Sequence, residues 1–256
     1  MFEIGGCSLD VQAFYDALSY ENDPDYLVRS VTRNLSAEEV AGRAVLDYGC
    51  GAGDASCFMA RHLRPASVTG LDIGTRNLNQ ARQKCGSLPG VMFLQVDLNH
   101  FEPEPEAYDI VWADTVIELL TMDLSRQVDL WYRSLRSGGL LYVSFNQRTV
   151  GNRLLFHGLV PLLRMLSRMG LRIPLMWTLK QVVLLRQGKS VIAKGEADLE
   201  NKIGYLFLPF IRLIREQELA VLLTRAGFLV EYIRPRLKSD PDSTPHLEIR
   251  ARKAAT

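Results

Sequence analysis

Apolar residues in this chain come in short runs, and most runs are followed by a stretch whose apolar positions recur at helical spacing. Val45 to Tyr48 is one such run, and in the "DASCFMARHL" beyond it Cys57, Phe58, Met59 and Leu63 share that spacing. The run "SVTGLDI", which reaches Asp72, leads into "RNLNQARQKCG", a helical stretch closed by Gly86. "VMFLQVDL", "YDIVWADTV" and "GGLLYVSF" read as third, fourth and fifth strands. The "DLSRQVDLWYRSLRSGG" between the last two reads as a helix with Leu124, Val128, Leu130, Trp131 and Leu135 on one side. Strands of buried type alternating with helices predict an α/β fold, a doubly wound parallel sheet covered on both faces.

The alternation stops after Phe145. Residues 146–215 are long, basic and apolar, and Pro161, Pro174 and Pro209 interrupt any single helix there. "EQELAVLLTRAGF" then reads as a helix stopped by Gly227, and "FLVEYIRPR" and "HLEIRARK" as two final strands joined through "SDPDSTP". Strands on both sides of the irregular segment predict one core, residues 1–145 and 216–256, with a helical cap or lid, 146–215, inserted after the fifth strand.

Three glycines follow the first strand of this series at alternate positions: Gly49, Gly51 and Gly53 in "DYGCGAGD". Glycine there costs conformational entropy, so something needs the bare backbone. In a doubly wound sheet the first strand-to-helix turn is the natural cradle for a ligand. The dinucleotide fingerprint needs glycine at position 54, where this chain has Asp54, which disfavours a nicotinamide or flavin cofactor. The pattern Asp47-x-Gly49-x-Gly51-x-Gly53 instead resembles the first motif of the class I methyltransferases that use S-adenosylmethionine. It is similar in flavour to the ubiquinone and menaquinone type and their natural-product relatives, whose penultimate helix "IREQELAVLLTRAGF" resembles.

The resemblance implies a Rossmann-like seven-strand sheet and S-adenosylmethionine as cofactor, in a transferase of secondary metabolism. It assigns Asp72, with Ile73 beside it, to the ribose hydroxyls. Asp97 goes to the adenine amino group, with Leu98 offering a backbone N–H and an apolar side, and Asp114 to the neighbourhood of the methionine part. A carboxylate suits a vicinal diol because its two oxygens face two donors. The fourth motif departs from many relatives, which have histidine after the acid, since Glu118 is followed here by Leu119.

The reaction needs a base only if the acceptor is protonated at working pH. Candidates are His100, three residues past Asp97, His157 in the cap, and Glu118; His62 reads as surface, His246 as structural, and Tyr15 as part of an amino-terminal lid. No metal site is indicated, because Cys7, Cys50, Cys57 and Cys85 show no CxxC spacing, and their low density fits a reducing, cytoplasmic setting without disulfides. No secretory signal and no apolar run long enough to span a bilayer is read in the sequence.

At 47 % hydrophobic and 23 % charged residues, with a formal net charge of +1, the 256-residue chain is of globular type and carries no global field that would attract nucleic acid. Locally the charge is uneven. Residues 1–129 hold nine basic and twenty acidic side chains, whereas Leu130 to Gly195 hold eleven basic and no acidic ones. Arginines among Leu, Met, Phe and Trp suit either a lid over apolar material, peripheral to a membrane, or a core-packing helix pair whose arginines are solvated. The expected acceptor is a small, mainly apolar organic molecule methylated at oxygen or carbon. A membrane-associated quinone or lipid methyltransferase and a non-catalytic cofactor-binding module stand as alternatives.

Overall fold

The computed structural model describes residues 24–166, 210–237 and 246–255, with short pieces at 2–4 and 7–9 and isolated positions between 169 and 181. Strands β1 (Phe2–Ile4) and β2 (Cys7–Leu9) pair antiparallel with each other, apart from the main sheet. Helices α1 (Pro24–Asn34) and α2 (Ala37–Val40) follow, the second opened by a reciprocal cap between Ser36 and Glu39. Then come β3 (Ala44–Tyr48), α3 (Asp54–His62), β4 (Ser67–Asp72), α4 (Thr75–Cys85), β5 (Val91–Gln95) and β6 (Tyr108–Asp114). A single 3-10 turn, Ile117–Leu119, leads to α5 (Leu124–Ser134) and β7 (Leu135–Asn146).

The main sheet has seven strands in the order β5-β4-β3-β6-β7-β9-β8, where β8 is Phe228–Pro235 and β9 is His246–Lys253. Strands β5, β4, β3, β6 and β7 are parallel; β9 runs antiparallel to both β7 and β8. Two reversals return β8 to the direction of the parallel strands, so its carboxyl end shares their edge. The doubly wound, seven-strand expectation holds. Helix α8 (Glu216–Ala226) ends at Gly227, whose φ of +100° is open to glycine and which leaves no room for a side chain beside the Tyr132 ring.

Alternation along the strands sorts the core into two faces. Leu46, Val111, Leu141, Val143 and Ile249 pack with α5 and α8 through Trp131, Leu219 and Leu223. Val45, Ile110, Trp112, Leu140 and Tyr142 pack on the other side with Val31, Leu35 and Met59. Trp112 and Tyr142 stack at 3.8 Å between ring centres.

Two details depart from the sequence reading. The helix expected to run through "RSLRSGG" stops at Ser134, and β7 begins at Leu135. Leu135 is fully buried, and Gly138 takes a φ of +73° that no helix allows. The expectation of an all-thiol chain is also corrected. Cys57 of α3 and Cys85 of α4 form a disulfide, with their Cα atoms 5.6 Å apart, although they lie 28 residues apart in sequence.

Of residues 146–215, the described part is mainly one helical stretch: α6 (Val150–Arg153), a wider π-type stretch at Leu154–Leu159, and α7 (Val160–Leu166). The widening lies directly before Pro161, which has no N–H to give the preceding turn. Phe156 and Val160 bury against Ile211 and Leu213. Among the described residues no helix is long and apolar enough to cross a membrane. Tyr15 lies outside the described residues.

Candidate cofactor site

The strand order reverses at β3, whose neighbours β4 and β6 lead away in opposite directions, and in such sheets a ligand crevice lies beyond the carboxyl ends at that point. The glycine turn crosses it. Gly49, Gly51 and Gly53 all have positive φ, +82°, +52° and +76°. A Cβ at Gly49 would stand 2.4 Å from Val116 Cγ2, and one at Gly53 2.6 Å from Ala81 Cβ, so the turn is pressed between the β6 loop and α4. The amides of Gly49 and Cys50 both donate to Leu71 O, which anchors the turn to β4.

Asp72 ends β4. Its Oδ2 accepts the Gly51 amide at 2.9 Å and its Oδ1 the Gly74 amide at 2.8 Å, which fixes the carboxylate plane against the turn. A carboxylate accepts up to about four donors, so this orientation also suits the two hydroxyls of a ribose. Ile73 beside it accepts Gln95 Nε2 through its carbonyl at 3.2 Å.

Asp47, on β3, is buried and accepts Ser56 Oγ at 2.6 Å. Burial pushes it up to about 7, and the charges of Asp114 and Asp72 add to this against the Ser56 hydrogen bond. Three carboxyl groups thus crowd one crevice, a setting suited to a ligand that brings positive charge. Asp114, ending β6, is bound by Arg236 Nη2 at 2.6 Å and also accepts the Ser144 hydroxyl.

Asp97 follows β5 and accepts Asn99 N at 2.9 Å, Asn99 Nδ2 at 3.0 Å and, on its other oxygen, His100 Nδ1 at 2.9 Å. Burial alone would raise it, but the hydrogen bonds from Asn99 and His100 outweigh this and hold it below the usual carboxylate range. Leu98 is buried, and its carbonyl accepts Tyr48 Oη at 3.1 Å. Asn99 Oδ1 in turn accepts Thr121 N, Thr121 Oγ1 and Met122 N, tying the turn after β5 to the loop after β6.

Of the three base candidates, His100 is 77 % exposed and bonded to Asp97, and His157 faces outward from the cap helix. Glu118 alone lies in the interior, on the 3-10 turn after β6. Burial pushes it up to about 7, partly offset by hydrogen bonds, chiefly its own backbone and Asn146. Arg236 was missed in the sequence. The signal was available, because it stands just past the carboxyl end of a strand, as Asp72 and Asp97 do.

Comparison with known proteins finds methyltransferases over part of the chain. Residues 45–139, the stretch that holds the glycine turn and all three strand-end acids, match the model of a methyltransferase domain. Over that stretch the chain is similar to methyltransferase domains. The trans-aconitate 2-methyltransferase of Methylobacterium nodulans is 34 % identical over 132 residues, 51 % of this chain and 49 % of the relative. The fatty-acid O-methyltransferase of Mycolicibacterium smegmatis is 30 % identical over 128 residues, 48 % of this chain and 44 % of the relative. The chain therefore spans about half the length of these relatives it matches.

Among solved structures, an S-adenosylmethionine dependent methyltransferase from Mesorhizobium loti superposes with a TM-score of 0.55 at 15 % identity, over 84 % of this chain and 92 % of that one. The cyclase SpnF superposes with a TM-score of 0.57 at 16 % identity, over 96 % of both. These establish the methyltransferase fold. That a cyclase shares it means that chemistry has to be argued from the site.

Proposed function

We propose that this chain is an S-adenosylmethionine-dependent methyltransferase that methylates oxygen or carbon of a small, mainly apolar organic acceptor. The observation that carries the proposal is the glycine turn at the switch point, locked by its own amide to the Asp72 carboxylate. Asp72 and Ile73 would hold the ribose, Asp97 and Leu98 the adenine, and Asp47 with Asp114 the charged methionine end, over Gly49, Gly51 and Gly53. When bound, S-adenosylmethionine supplies a sulfonium methyl group to an in-line acceptor lone pair and leaves as a neutral thioether. What the chain contributes is placement and exclusion of water. The bare turn lets the ligand approach, and the segment 146–215, packed through Phe156 and Val160 on Ile211 and Leu213, serves as the cap on the acceptor side.

Asp72→Ala should abolish binding of S-adenosylhomocysteine in calorimetry while the protein stays folded by circular dichroism. Undiminished affinity would remove the site assignment.

A second feature supports an acceptor met at a membrane surface. Val150, Leu154, Leu162 and Met165 form an exposed apolar stripe along the cap helix, Val150 at 74 % and Leu154 at 69 %, with Arg148 and Arg153 exposed beside it. The relatives named for fatty acids, and for phthiotriol dimycocerosates in Mycobacterium ulcerans, are consistent with such an acceptor.

A further inference from the structure

Among the described residues, the buried polar atoms without a hydrogen-bond partner include Glu118 Oε2 and Arg236 Nε, both on elements that leave the carboxyl edge of the sheet. Glu118 enters from the turn after β6, and its other oxygen, Oε1, accepts Asn146 Nδ2 at 2.9 Å and Asn146 N at 3.3 Å. Arg236 follows β8, its backbone amide donating to His246 O at 3.1 Å and its Nη2 bound to Asp114. The guanidinium lies 5.3 Å from the Tyr26 ring centre, and its side chain is only 11 % exposed. Asn146, which holds Glu118, pairs with His246 across β7 and β9, and Arg236 donates to that same His246, so the two groups share one locality, yet they do not bond each other.

Buried polar groups are almost always satisfied, so two unsatisfied ones in one locality at the proposed ligand-binding edge point to a ligand that satisfies them. Resting on the proposed function above, we propose that Arg236 and Glu118 form a receptor for a ligand carboxylate. Arg236 brings a positive N–H donor. Burial keeps Glu118 neutral for a good part of the physiological range, and a neutral carboxyl turns its Oε2 into a second donor. Two donors suit one anionic group with two oxygens. A doubly charged phosphate fits less well, since Asp114 already offsets Arg236 and further acids line the crevice. The surroundings set the rest of the ligand: the Arg212 amide donates to Glu118 O at 2.7 Å, which brings Ile211 and Leu213 and the apolar cluster under the cap to the same place.

The carboxylate has two possible sources, an acceptor acid with an apolar body or the methionyl end of the cofactor. A carboxylate acceptor is already ionised at neutral pH and needs no base, which matches a site whose two histidine candidates both face outward.

Calorimetry on the full chain separates the sources. The ligands are decanoate and its neutral amide, each with and without S-adenosylhomocysteine, and S-adenosylhomocysteine against methylthioadenosine, which lacks the carboxylate. For an acceptor acid, decanoate binds and its amide binds at least about tenfold more weakly. Arg236→Lys and Glu118→Leu each lose about tenfold for decanoate, while Glu118→Gln, whose amide still donates, keeps the affinity. For the cofactor carboxylate, the same two losses fall on S-adenosylhomocysteine and spare methylthioadenosine. Folded Arg236→Lys and Glu118→Leu proteins that bind decanoate and S-adenosylhomocysteine as the wild type does would overturn the receptor. Failure of the wild type to bind S-adenosylhomocysteine at all would instead strike the proposed function, and decanoate alone would still test Arg236.

Discussion

Asp47 answers to pH because its folded environment works against its charge. Burial is the larger cause, and Asp114 and Asp72 add to it. With a folded value of about 7 against an ordinary value near 4, Asp47 favours the empty fold fully only at low pH. That contribution fades as pH rises towards about 7. Glu118, also raised to about 7, has the same sign. The urea midpoint of the ligand-free protein should therefore fall between about pH 4 and pH 7 and level off above, and Asp47→Asn should flatten the fall. A sulfonium and an ammonium nearby reverse the penalty. S-Adenosylmethionine should thus bind more tightly as pH rises across the same range, releasing a proton that calorimetry in buffers of different ionisation enthalpy detects. A profile unchanged in Asp47→Asn would show that another group titrates. The positions of Asp47, Asp72 and Asp97 were legible in the sequence because each stands at or just past the end of an apolar run. Their protonation was not, since it depends on neighbours brought from other strands.

The elements that flank the crevice are joined more firmly than their sequence suggested. Helix α3 starts at the glycine turn and α4 starts just past Asp72. The Cys57–Cys85 bond holds them together, helped by Lys84 Nζ on Asp54 at 2.8 Å. Closing a loop across 28 residues is worth about 3–4 kcal/mol in the chain-entropy account. Dithiothreitol or Cys57→Ser should lower the urea midpoint by an amount of that order, and an unchanged midpoint would mean that the pair is reduced in the purified protein. The strands and helices of the core were readable from period alone. The pairing of two cysteines was not, because it requires α3 and α4 to lie side by side, a fact of topology that no local spacing carries. The helix end at Ser134 escaped for a related reason: Leu135 fits a helical stripe and a buried strand equally well.

On the scale of the molecule, an acidic amino-terminal half carries the proposed cofactor site and is followed by a basic segment. The sequence showed that division but not which face of the cap is bare. In pelleting with vesicles, phosphatidylcholine containing phosphatidylglycerol should retain the protein better than phosphatidylcholine alone, and Leu154→Glu with Met165→Glu should reduce retention about tenfold. Equal pelleting by both lipids and both proteins would leave the stripe without a membrane role. The two ends of the crevice are also mechanically one. Because a single amide oxygen of Asn99 receives three donors from Thr121 and Met122, the corner beside Asp97 cannot shift without carrying the approach to Glu118 with it. On the proposed function, a nucleoside lodged against Asp97 would therefore also set where the loop after Glu118 stands, so that occupancy at one end of the site would be felt at the other.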